Sequence, residues 1–168
     1  MLNEDLIEMA FIDQLTGQGF EFHQGPDIAP DSDNPQRKNF DSVVLENELL
    51  KAIERLNPSV PSSAINEAHQ KVLNLGTEDI MENNERFHTY LTSGVPVEFT
   101  KDGASKGVNV DLLDIENSEN NTYWAVNQLV IKENNVNRRL DVVIYINGLP
   151  LVVVELKNAT SEKATIRN

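Results

Sequence analysis

Three features of the sequence predict an α/β fold. Up to Leu91, apolar residues recur at helical spacing; from Val95 onward the period shortens to two. Between Arg138 and Asn158, two runs rich in Val, Ile and Tyr flank Asn147-Gly148-Leu149-Pro150, the signature of a β-hairpin.

In chain order, Asn3 is placed to cap a first helix with Leu6, Met9, Ala10 and Leu15 inward, ending near Gly17 or Gly19. Phe20-Glu21-Phe22 reads as a short strand. The prolines and acids from Gly25 to Arg37 mark an irregular crossover; the basic Arg37-Lys38 is read as an exposed loop tip, with contact to DNA as the alternative. A second helix is expected to begin at Asp41 or Ser42, to turn Val44, Leu45, Leu49, Ile53 and Leu56 inward and Glu46, Glu48 and Glu54 to water, and to stop at Asn57-Pro58. Pro61-Ser62-Ser63 opens a third that runs to about Leu73, with Gly76 as its stop; a fourth spans about Glu78 to Leu91 and ends before Gly94. Strands follow at Val95 to Phe99, Val108 to Leu113 and Thr122 to Lys132, then the hairpin, and Thr160 or Ser161 is placed to cap a last helix.

The hairpin's second strand is apolar until Glu155 and Lys157, which share one face while Leu156 points to the other. A strict two-residue turn sets Asp141 opposite Val154, on the wrong face; an odd-length turn or a bulge sets it opposite Glu155. Pro150 cannot donate to a ladder, so the irregular closure is the expected one. Two carboxylates and an ammonium at one spot suit Mg2+, a hard cation held by one or two carboxylates with water and substrate phosphate. Asp141 and Glu155 would supply the carboxylates and Leu156 a backbone carbonyl. Lys157 would position the attacking water and neutralise charge developing on phosphorus. The competing reading is a strand-end salt bridge between Lys157 and one of the acids.

The chain's 168 residues suffice for one domain with a core of its own, and 24% charged with 39% hydrophobic residues describes a globular chain. Without cysteine there is neither a disulfide framework nor a thiolate metal site, as a reducing cytoplasm allows. No signal peptide or membrane span is expected. His23, His69 and His88 lack a paired metal spacing, and Trp124 is expected to pack on the sheet. The net charge of −13 opposes autonomous binding to duplex DNA, whose affinity comes from Lys and Arg neutralising phosphates.

The run R-R-L-D, N-G-L-P and V-E-L-K-N between Arg138 and Asn158 resembles the nuclease motif of the restriction (motor) subunit of type I restriction enzymes, within the PD-(D/E)xK superfamily. Asn84-Glu85-Arg86-Phe87-His88-Thr89-Tyr90-Leu91, Gly94-Val95-Pro96-Val97 and Trp124-Ala125-Val126-Asn127-Gln128-Leu129 resemble further blocks of the same N-terminal domain. The resemblance implies a restriction-endonuclease-like central mixed β-sheet flanked by helices over residues 1–168. It also implies Mg2+-dependent hydrolysis of double-stranded DNA by Asp141, Glu155 and Lys157, in a cytoplasmic complex with specificity and methylation subunits. An acidic residue on the first helix approaches the metal in related nucleases, sometimes through water, which makes Glu8 a candidate; Arg138 and Arg139 are candidate phosphate contacts. The family's ATP-driven motor is expected elsewhere: no phosphate-cradling loop occurs, Gly103-Ala104-Ser105-Lys106-Gly107 has the wrong spacing, and ATP is not expected to bind this chain. The family's proline before the first aspartate is Leu140 here, and its downstream Gln-x-x-x-Tyr helix is not reached. The sequence therefore reads as the N-terminal part of a larger protein. The rival readings are a catalytically silent docking domain and a nuclease domain of a related motor protein outside type I systems.

Overall fold

The computed structural model describes residues 4–101, 103–133 and 136–157. Asn3 and the Thr160/Ser161 cap lie outside the described residues. Two compact units emerge: the described parts of Met1–Val43 and Tyr123–Asn168 form the first, and Val44–Thr122 the second.

The first unit is built on a mixed four-stranded sheet in the order β1 (Glu21–Gln24), β4 (Tyr123–Glu133), β5 (Val136–Ile146), β6 (Leu149–Val154). β1 runs parallel to β4, and the other neighbours are antiparallel. Helix α1 (Glu4–Thr16) lays Ile12 and Leu15 on the face made by Ala125 and Val142, with Phe11, Phe20, Ile144 and Val154 at its margin. Of the four positions the periodicity turns inward, Leu15 is buried as expected, while Leu6, Met9 and Ala10 are exposed and Ile12 joins the core instead.

Arg37 is not an exposed tip. Only 3% exposed, it donates from Nη2 to the Val130 carbonyl at 2.8 Å and from Nη1 to that of Ser42 at 3.3 Å, stapling the crossover to β4. The Tyr145 hydroxyl donates to the Val43 carbonyl at 3.0 Å. These two tertiary bonds hold residues 42 and 43 outside any helix, and the second helix starts at Glu46 rather than Asp41.

In the second unit, α2 (Glu46–Leu56), α3 (Ser62–Leu73) and α4 (Ile80–Ser93) accompany the hairpin β2 (Val95–Lys101) and β3 (Ala104–Val110). Leu45, Leu49, Ala52 and Ile53 are fully buried, as the helical spacing requires. Asp79 caps α4 by accepting from the Met81 and Glu82 amides, and Gly94 ends it at φ 78°. β3 stops short of the predicted Leu113. The Asn57 side chain pairs with Asp111, accepting from its amide and donating to its carbonyl, both at 2.9 Å, and so takes the place of the next strand residue.

At Gly25 the chain crosses β4 so closely that a Cβ would stand 2.6 Å from the Gln128 carbonyl oxygen and 2.7 Å from that of Asn127. Gly25→Ala should therefore cost about 1–3 kcal/mol, read as a lower denaturant midpoint at unchanged slope; an unchanged midpoint would refute the close approach. Burial pushes the Tyr145 phenol from its ordinary 10.0 up to about 12. Below pH 10 both states keep the proton; from pH 10 to 12 only the unfolded chain releases it, so stability should fall by about 2–3 kcal/mol over that window. Tyr145→Phe should flatten that slope in pH-dependent unfolding measurements.

Candidate functional site

The site is set by a bulge. Ile146 pairs with Leu149 across Asn147 and Gly148, whose φ values of 52° and 79° are the left-handed pair a type I′ turn demands. Tyr145 pairs with Pro150, but Ile144 pairs with Val152, so Leu151 is the extra residue. Val143 and Val142 then face Val153 and Val154. Continued by one residue, that register sets Asp141 opposite Glu155. The expected irregularity is therefore a bulge just past the tight turn, next to the proline that cannot serve the ladder.

β6 ends at Val154, and a side chain takes over from the ladder. The Leu156 amide donates to Asp141 Oδ2 at 2.8 Å, which anchors the segment carrying Glu155 and Lys157 to the first carboxylate. Lys157 Nζ lies 3.7 Å from Glu155 Oε2, with side chains 61% and 53% exposed. The ion pair considered as the alternative role for Lys157 is thus present, and it joins the two residues that would act together on a substrate. Arg138 and Arg139 lie exposed on β5, with Arg139 two positions before Asp141 and on its face.

On the other side of β5, the β4 ladder is interrupted. Asn127 pairs with Val142 and Leu129 with Leu140, which leaves Gln128 across from Asp141 without a ladder pairing. Gln128 has φ 50°, a conformation few non-glycine residues adopt. From there its Nε2 donates to Glu8 Oε2 at 2.5 Å, while Asn127 Nδ2 donates to Glu8 Oε1 at 2.8 Å. Both oxygens of the α1 carboxylate are therefore held against β4. Sequence reasoning singled out Glu8 but missed the two amides. The Asn-Gln pair sits inside one of the blocks that carry the family resemblance, and that was the available signal.

The acids do not converge as a cage: among the described residues, no three Asp, Glu or His side chains are grouped to hold a metal. Asn127 Oδ1 is buried with no hydrogen-bond partner among the described residues, a polar atom whose burial calls for a donor. The His23 ring stacks on Trp124 with centroids 3.8 Å apart, so the tryptophan serves sheet packing, as expected. An open cleft in the second unit, lined by Glu67, Lys71 and Glu98 among others, already spends its ammonium: Lys71 pairs with Glu67 and donates to the Pro96 carbonyl.

Residues 1–168 match the family described as the type I restriction enzyme R protein N terminus. The type I restriction enzyme HindI endonuclease subunit of Haemophilus influenzae is 36% identical over 167 residues, 99% of this chain and 16% of that protein. A Methanocaldococcus jannaschii protein named for the MjaIXP type I restriction enzyme endonuclease subunit is 31% identical over 166 residues, 96% of this chain and again 16% of the relative. The chain thus spans about a sixth of the length of these relatives, and the four α-helices and mixed sheet of its described residues agree with a restriction-endonuclease-like fold. By the full-length family match and these identities, the chain belongs to the family of type I restriction enzyme R protein N termini.

Proposed function

We propose that residues 1–168 form the endonuclease domain of a type I restriction subunit and hydrolyse phosphodiester bonds of double-stranded DNA. The observation that carries this reading is the bond from the Leu156 amide to Asp141, which ties the D and ExK segments together where neither is paired in a ladder. Asp141 and Glu155 supply hard oxygen donors, Leu156 a carbonyl, and Glu8 a third carboxylate acting through water. This donor set, free of thiolate and with one buried acceptor awaiting a donor at Asn127, suits Mg2+. Bound there, Mg2+ would polarise the phosphate and lower the pKa of a coordinated water. Lys157 orients the attacking water and offsets charge building on the phosphoryl oxygens, and Glu155 holds the ammonium at the site between turnovers. Arg138 and Arg139 contact flanking phosphates.

ATP-driven translocation belongs to parts of the protein beyond this sequence. Specificity and methylation subunits place the complex on DNA in the cytoplasm. No helix among the described residues is long and apolar enough to cross a membrane.

A catalytically silent docking domain is the second reading, and the Lys157–Glu155 ion pair favours it, because that pair satisfies both charges without a substrate. Plasmid cleavage by the full-length subunit, assembled with its partners and supplied with Mg2+ and ATP, separates the two. Asp141→Ala and Lys157→Ala should each abolish cleavage while ATP hydrolysis persists; normal cutting by both variants makes the site structural. Because the ion pair is more than half exposed on both sides, Lys157→Ala should change unfolding free energy by less than about 1 kcal/mol, so lost cleavage would not be lost folding.

A further inference from the structure

We infer that Gln128, together with Asn127, is a positioning residue that fixes the Glu8 carboxylate at the metal site of the nuclease proposed above. The inference rests on that nuclease reading, and it starts from a backbone anomaly. Gln128 leaves the β4 ladder at the one position that lies across from Asp141, and it does so with φ 50°. A long, flexible side chain gains nothing from that conformation by itself, and such outliers persist only where the surroundings over-determine them.

Two neighbours do so here. Gly25 lies so close to the Asn127 and Gln128 carbonyls that only a residue without Cβ fits, which leaves no room for β4 to straighten on that side. Opposite, Glu8 accepts from Gln128 Nε2 and from Asn127 Nδ2, one amide for each carboxylate oxygen. Regular alternation would send Asn127 and Gln128 to opposite faces of the sheet. The left-handed turn at Gln128 is what lets consecutive side chains reach one carboxylate.

A carboxylate clamped by two amide donors has its orientation fixed, as metal-site carboxylates have when outer hydrogen bonds hold them. Asn127 adds a further sign of a ligand: its Oδ1 is buried and has no hydrogen-bond partner among the described residues, although its Nδ2 is already committed to Glu8. A buried acceptor beside a fixed carboxylate is the arrangement that receives a proton donor such as a bound water.

The experiment titrates Mn2+ alone, without nucleotide or DNA, into the full-length protein and follows the free Mn2+ electron paramagnetic resonance signal. Gln128→Gly removes the side chain and suits the backbone. It should weaken binding at the Asp141-dependent site about 10-fold or more, without lowering the melting temperature. Glu8→Gln should weaken it comparably, and the double variant should bind no worse than the weaker single, because the two residues act through one group. If the glycine variant melts lower, Gln128→Asn, which tolerates positive φ but is one methylene short, takes its place with the same expected loss.

Mn2+ affinity within about twofold of wild type in the variant that keeps its melting temperature, or losses that multiply in the double variant, overturns the inference. These failures are distinct from failure of the nuclease reading. If Asp141→Ala abolishes cleavage while the Gln128 variants bind Mn2+ normally, the inference alone falls. If Asp141→Ala cuts normally, the nuclease reading falls with it.

Discussion

A single surplus residue in β6 governs the arrangement around Asp141. Without the bulge at Leu151 the hairpin would pair Asp141 with Val154, and the acid at 155 would sit on the opposite face. The bulge costs one ladder pairing, and Pro150 lowers that cost because its nitrogen has no hydrogen to lose from the ladder. The shifted register also explains why β6 ends where it does. Past Val154, Asp141 uses its carboxylate to accept the Leu156 amide, so the strand's last hydrogen bond is to a side chain that can also meet a ligand.

A second departure from regular pairing lies on the other neighbour of β5. Gln128 in β4 and the segment that continues β6 flank the same residue, so Asp141 lies beside a missing β4 pairing on one side and just past the end of β6 on the other. Each irregularity is held from outside the sheet's own hydrogen bonding: Gly25 and Glu8 hold β4, and the Asn147-Gly148 turn with Pro150 holds β6. Cross-strand packing away from this row is regular, with Ala125, Val126, Val142 and Val143 buried and paired as alternation requires. The sheet departs from regular pairing in two places, at Gln128 beside Asp141 and at the Leu151 bulge that sets the register of Asp141.

Much of this was legible in the residues. Helices α3 and α4 and the hairpin follow from local signals: Pro61 and Gly94 at helix ends, Asn147-Gly148 between β-branched runs; the strict two-residue turn did not, because Pro150 argued against it. The need for an odd-length turn or a bulge was legible too, because it follows from parity once Asp141 and Glu155 are required to share a face; that the bulge would come after a two-residue turn was not. What the sequence hid was tertiary. Arg37 looks like a loop tip because an arginine among prolines and acids usually is one; its burial depends on carbonyls of Val130 and Ser42 that only the fold brings together. The end of β3 at an asparagine from another element has the same origin. Glu8 could be placed on a helix, but its two amide partners lie more than a hundred residues away, beyond the reach of any local pattern.

The charge balance bears on how the proposed nuclease would meet its substrate. A chain of net charge −13 repels a polyanion at long range, and a cluster of acids adds to that locally. Among the exposed cations described in the first unit, Arg138, Arg139 and Lys157 lie within three residues of Asp141 or Glu155 in sequence, whereas Lys38 and Lys132 do not. Part of the positive charge exposed on the described residues of this unit therefore lies beside the proposed site, and the rest lies elsewhere. For the nuclease proposed above, that net charge would suit an element that cuts DNA delivered to it, with sustained hold on the duplex left to other parts of the proposed assembly. Weak intrinsic attraction then becomes an advantage, because a nuclease that bound DNA on its own would cut before the rest of the complex had acted.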